Sequence, residues 1–98
     1  MLYAQILQAA LQPGTAQQVA EIFQTKVGPV LKQQLGYATS RFLTNADTNR
    51  CLAVMLWESE AHREAAETSV TLQGAFARLQ PCFEGAPTID KYELAVQV

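Results

Sequence analysis

The chain is poor in charge, has one histidine and two cysteines, and contains no long apolar run. Charged residues make up 16% of its 98 positions, with seven Lys/Arg against nine Asp/Glu. No basic run occurs. The phosphate-neutralising contacts that dominate nucleic-acid binding therefore have no donor set, and nucleic acid is not expected as a partner. The longest unbroken apolar stretch, "CLAVMLW", falls far short of the about 20 residues that cross a bilayer, so no membrane span is expected. Residues 1–12 carry no positive charge ahead of their apolar part, which speaks against a secretory signal. Cys51 and Cys82 form neither a CxxC nor a metal spacing; the expectation is reduced, buried thiols in a cytoplasmic protein. His62 stands alone, with no Cys, Asp or Glu at metal-ligand spacing, and gives no metal site. No Ser/His/Asp triad, glycine-rich phosphate loop or Cys/His nucleophile spacing is present. Nothing selects a cofactor.

What the chain does have is apolar material. Hydrophobic residues are 49% of the sequence, too many for a disordered segment and enough for one domain, 1–98, with its own core. Met1 to Gln12 alternates roughly with period two, which predicts a strand. After "PGT", Thr15 and Gln18 match the capping-box pattern. Val19, Ile22, Phe23, Val27, Val30, Leu31 and Leu35 then recur at helical spacing and predict a helix from about Ala16 to Leu35. Pro29 lacks the N–H that would bond four residues back, so Gly28-Pro29 implies a kink within the helix. Gly36 is placed for a left-handed stop.

Tyr37 to Thr44 and Arg50 to Glu58 predict two strands joined by the turn "NADTN". Ser59 is the expected N-cap of a second helix, with Glu60 in its first turn. Ala61, Ala65, Leu72, Phe76 and Leu79 keep helical phase, but "TSVT" is poor helix material, so two pieces are expected, with Thr68 or Ser69 capping the second. Thr88 to Val98 alternates as a last strand. The order βαββαβ predicts an α+β ferredoxin-like fold, an antiparallel sheet with its helices on one face.

The third strand is apolar on both faces. Cys51, Ala53, Met55 and Trp57 point one way and Leu52, Val54 and Leu56 the other, while the helices can cover only one side. The economical cover for the second side is another copy of the chain, packed sheet against sheet in a two-fold homodimer.

The order of elements, the interrupted helix "GPVLKQQLGY" and above all "LWESEAHREA" resemble the antibiotic biosynthesis monooxygenase family of dimeric α+β barrels, over essentially the whole chain. The resemblance implies a ligand cavity between helices and sheet beside Trp57, a small apolar or aromatic ligand of quinol or polyphenol type, and cofactor-independent oxygenation. Haem-degrading relatives use an Asn on the first strand and a His well into the second helix. Here the first strand has Gln5 and Gln8, and the only His is in the opening helical turn, so haem chemistry is not implied. Polyketide monooxygenases pair an Asn with the Trp on the same strand face, and Ala53 occupies that place. Arg41 and Arg78 are the candidates to supply the missing polar group.

Each candidate also has a purely structural reading. Burying Trp57 removes roughly 150–250 Å² from water, about 4–6 kcal/mol as an upper bound, so packing alone accounts for it. His62, near a positive helix end, is expected neutral; it is either a base or a local hydrogen-bond partner. Glu58 and Glu60 read as solvated helix-start charges. Phe23, Met55 and Phe76 are core residues that become cavity walls where the helices stand off the sheet. The leading expectation is an oxygenase with Trp57 and His62 as its catalytic candidates and with Phe23, Met55, Trp57, Phe76, Arg41 and Arg78 around the ligand. The alternative is a non-catalytic binding or assembly module.

Overall fold

The computed structural model describes residues 1–98. Strand β1 (Leu2–Ala10) lies inside a four-stranded sheet of order β2-β3-β1-β4, with β2 at Tyr37–Asn45, β3 at Arg50–Trp57 and β4 at Thr88–Leu94. Every neighbouring pair is antiparallel. This is the ferredoxin-like α+β arrangement that the element order implies. Register follows from the period of two. Gln5, Leu7 and Ala9 sit opposite Met55, Ala53 and Cys51 on the inner face. The outer face carries Ala4, Ile6 and Gln8 opposite Leu56, Val54 and Leu52. A one-residue slip would exchange the two faces, so burial of the inner set fixes the pairing. The β2–β3 turn is held by Asn45, whose Oδ1 accepts from the backbone N–H groups of Asp47 and Thr48 at 3.0 and 3.1 Å.

The first helical layer is one run in three parts: α1 (Ala16–Ile22), a π-helical turn (Phe23–Val27) and α2 (Gly28–Lys32). The expected disturbance at Pro29 takes this form. The Gly28 N–H reaches the carbonyl of Phe23, five residues back, and the wider turn relieves the clash Pro29 would otherwise make. It also explains the buried set. Val19, Phe23, Val27 and Leu31 are spaced by four residues, yet each is at most 7% exposed. In a regular α-helix of about 3.6 residues per turn, such a series drifts around the axis; the π turn cancels the drift.

The second layer is α3 (Glu60–Glu67) and α4 (Val70–Ala77), followed by a 3-10 turn at Gln80–Cys82. Ser59 and Ser69 cap the two helices, accepting from the N–H groups of His62 and Leu72. The break at Thr68–Ser69 is therefore a stop and a restart, as the composition of "TSVT" implies.

Four local expectations are corrected. Thr15 makes no capping bond; its hydroxyl donates instead to the carbonyl of Gln12 at 2.7 Å, within the turn. Leu35 lies beyond α2 and is exposed, because Gly36 (φ +76°) turns the chain first. In α3 the inward positions are Arg63 and Ala66, and Ala61 and Ala65 face solvent. The last strand stops at Leu94, leaving Val96 and Val98 exposed.

Candidate functional site

The helices do not close completely on the sheet. Between α3–α4 and the β1–β3–β4 side of its inner face lies a cavity of about 560 Å³, within the size range of small-molecule sites. Leu7, Met55, Leu72, Phe76, Phe83 and Ile89 supply its apolar walls. The alternation of β4 puts Ile89 and Lys91 on this side and Asp90 and Tyr92 on the other.

Its polar end is a chain of contacts that starts in the core. Trp57 is fully buried, and its indole N–H donates to Gln5 Oε1 at 2.9 Å. An indole N–H can only donate, so the Gln5 oxygen must face it and the Gln5 NH₂ must face the cavity. Gln5 Nε2 donates to Glu67 Oε1 at 3.4 Å, and the same oxygen lies 3.1 Å from Lys91 Nζ. One N–H of Gln5 is thus engaged by Glu67 and the second is left to the cavity. A preoriented amide donor, a carboxylate and an ammonium therefore meet at one end of an apolar pocket. Such a set can orient a phenolic or enolic oxygen and favour its anionic form.

Of the residues expected at a site, Met55 and Phe76 line this cavity. Trp57 stands behind it and acts through Gln5. Phe23 lies deeper, stacked on Phe42 with ring centroids 4.5 Å apart and edge-on to Phe76 at 6.4 Å. The other three lie elsewhere. Arg41 pairs in register with Val54 and so belongs to the outer sheet face; it donates to Thr39 Oγ1 and to the carbonyl of Ser40. Arg78 borders a separate shallow groove with Gln18 and Glu21. His62 sits over Gly36, its Nδ1 2.7 Å from Ser59 Oγ. Ser59 Oγ already accepts from the His62 backbone N–H, so its own proton is free to go to Nδ1. That bond favours the neutral Nε2–H tautomer.

Sequence reasoning missed Glu67 and Lys91 at the cavity and Arg63 beside it. Arg63 is 6% exposed and bridges α3 to two strands, donating to the carbonyls of Ala4 (3.2 Å) and Tyr92 (3.0 Å), with its guanidinium 5.5 Å from the Tyr3 ring. Its Nε is buried without a partner. Gln5 did carry a signal: a lone amide on the inner face of β1, level with the Trp-bearing strand. Glu67 and Lys91 carried none, since their meeting depends on how α3 crosses β4.

Cys51 and Cys82 are both buried and free. Desolvation pushes both thiols above the ordinary value of 9.0; for Cys51 a backbone hydrogen bond at Ala9 and the charge of Arg50 partly oppose it. Both stay neutral at physiological pH, which deprives them of nucleophilic character. The residues contain no group of three or more His, Cys, Asp or Glu arranged to hold a metal ion. No helix is long and apolar enough to cross a membrane.

Neither a family sequence model nor a curated protein matches this chain. Solved structures do. A candidate antibiotic biosynthesis monooxygenase from Bordetella bronchiseptica superposes with a TM-score of 0.82 at 15% identity, covering 97% of this chain and 98% of that one. A mutant of SnoaB, a cofactor-independent oxygenase from Streptomyces nogalater, gives 0.80 at 11% identity, covering 99% and 96%. A candidate antibiotic biosynthesis monooxygenase from Caulobacter crescentus gives 0.76 at 18% identity, covering 98% and 91%. The chain has the fold of the antibiotic biosynthesis monooxygenases from end to end.

Proposed function

We propose that this protein is a homodimeric, cofactor-independent monooxygenase acting on a small aromatic substrate of quinol or polyphenol type, bound in the cavity above β1 and β4. The observation that carries the reading is the Gln5 amide. Trp57 holds its oxygen from within the core, so an N–H is presented to an otherwise apolar pocket. That donor takes the place of the polar group missing at Ala53, which is fully buried.

The chemistry needs little more. A substrate whose CH₂ lies between aromatic rings, next to a carbonyl in conjugation, loses a proton to give a delocalised enolate. Gln5 N–H stabilises the enolate oxygen, with Lys91 adding positive potential, and Glu67 is placed to receive the proton. The electron-rich carbon then reduces O₂. One oxygen atom ends in a new C=O bond and the other leaves as water with the two hydrogens lost from carbon. Phe76 and Met55 pack against the aromatic body, and the apolar walls keep bulk water from the carbanion. His62 and Arg41 lie outside the cavity, so neither enters this scheme.

The second reading, a binding module without chemistry, is favoured by the unbroken apolar surface of β3 at Ala53 and Met55. One experiment separates them: oxygen uptake with reduced quinols and anthrone-like phenols, for the wild type, Gln5→Leu and Trp57→Phe. Turnover lost in both variants while each remains folded supports the oxygenase. Uptake no faster than buffer for every substrate in the wild type, with a thermal shift on binding, assigns the protein to the second reading.

A further inference from the structure

The outer face of the sheet is uncovered by any part of the chain, and its side chains are ordered in rows. Register places Arg41, Val54, Ile6 and Asp90 in one line across β2, β3, β1 and β4. The line on one side is Leu43, Leu52, Gln8 and Thr88, and on the other Thr39, Leu56, Ala4 and Tyr92. The middle row thus has a cation at one edge, an anion at the other and two apolar residues between. Leu43 and Tyr92 are 53% and 57% exposed.

We infer that a second copy covers this face about a two-fold axis running along the strands, pairing Arg41 of each chain with Asp90 of the other. The inference deepens the homodimer proposed above and rests on it. Two sheets that pack face to face keep their strand directions within about 30°. Two orientations of the axis then satisfy a two-fold. An axis across the strands sets β2 on β2 and β4 on β4, bringing Arg41 against Arg41 and Asp90 against Asp90. An axis along the strands sets β2 on β4 and β3 on β1. The charges then oppose their complements, and Val54 meets Ile6 at the centre.

Side-chain size selects the same solution without reference to charge. Along the strands, Leu56 falls on Ala4 and Tyr92 on Thr39, large on small in each case, as close packing requires. The area is sufficient. Four strands at about 4.8 Å spacing and about eight residues at 3.3 Å give roughly 500 Å² per copy, about 1,000 Å² in all, the threshold of a specific interface.

The arrangement bears on the cavity. β4 is an edge strand exposed along nearly all its length. Its inner residues Ile89 and Lys91 wall the cavity, and its outer residues Asp90 and Tyr92 are those the second copy grips. The partner's β2 therefore steadies a wall of the site from behind.

The test is sedimentation equilibrium of the full chain as wild type, Arg41→Glu, Asp90→Arg and the double variant, with thermal unfolding to confirm that each folds. Each single charge reversal is expected to raise the dimer Kd about tenfold to a hundredfold, and the double exchange to return it to within about threefold of wild type. Leu56→Arg, in the centre of the face, is expected to give a monomer. Single variants with unchanged Kd, or a double variant no tighter than the singles, would overturn the orientation. A monomeric wild type at micromolar concentration, or a dimeric Leu56→Arg, would overturn the interface itself. Because the readout is mass, the result is independent of any oxygenase activity.

Discussion

Replacing Gln5 with leucine strands the indole N–H of Trp57 in a fully buried position, and that single event makes the Trp57–Gln5 contact measurable. The unpaired donor costs about 1–3 kcal/mol, and the added apolar side chain offsets roughly 1 kcal/mol of it. The reciprocal change, Trp57→Phe, leaves Gln5 Oε1 without its donor at a similar cost and adds about 1 kcal/mol for the smaller ring. If the hydrogen bond is as drawn, the double variant removes both polar partners together. It should then lose only about 1 kcal/mol or less, at least about 2 kcal/mol short of the sum of the singles. The assay is urea unfolding followed by far-UV circular dichroism. Fluorescence serves only the variants that keep Trp57, the chain's one tryptophan. All four proteins are measured at one concentration, since dimerisation links stability to mass action. Costs that add to within about 0.5 kcal/mol would refute the argument. They would mean that Gln5 is not held by Trp57 and that nothing orients its N–H toward the cavity.

Three further outcomes are expected. Gly36→Ala combines a left-handed backbone (φ +76°) with a Cβ driven into the His62 ring; it should cost at least about 2 kcal/mol, and adding His62→Ala should recover part of that, measured by the urea midpoint. Gly74→Ala, inside α4 where a Cβ meets nothing within 4 Å, should stabilise by about 0.5–1 kcal/mol, or a rise of several degrees in Tm, and a fall in Tm would show hidden crowding. For the thiols, burial raises both values, so the folded chain keeps protons that the unfolded chain releases near pH 9. Stability is therefore full below the ordinary thiol value and declines as pH rises above it, and the decline should flatten in Cys51→Ala/Cys82→Ala.

The fold was legible because β3 and the first helix carry their periods plainly, and because Gly36, Ser59 and Ser69 mark their own boundaries. What escaped was set by geometry between elements. The turn "QPGT" fills Thr15's hydrogen-bonding capacity before it can cap a helix, and Gly36 ends the helix's reach before Leu35. The Trp-centred cavity was legible in outline, but Trp57 acts from behind it and not within it. Arg41 was the most instructive miss. Its parity on β2, opposite Val54, assigns it to the outer face once the bulge at Ala38 fixes the register, and no sequence pattern announces that bulge. Glu67 and Lys91 lie on different elements and meet only through the crossing of α3 over β4.

The π-helical turn has a consequence for how this chain tolerates change in length. Deleting one of the exposed residues Gln24, Thr25 or Lys26 turns the spacing of the buried set from four-four-four into four-three-four. At about 100° per residue, that series stays within roughly 60° of arc on an ordinary α-helix. A deletion inside a helix normally swings everything beyond it off the core. Here the helix already stores the surplus residue as a loop in its own winding, so the same cut should leave Val27 and Leu31 facing inward. Sequences that differ from this one by a single gap at that point can share its core without sharing its helix.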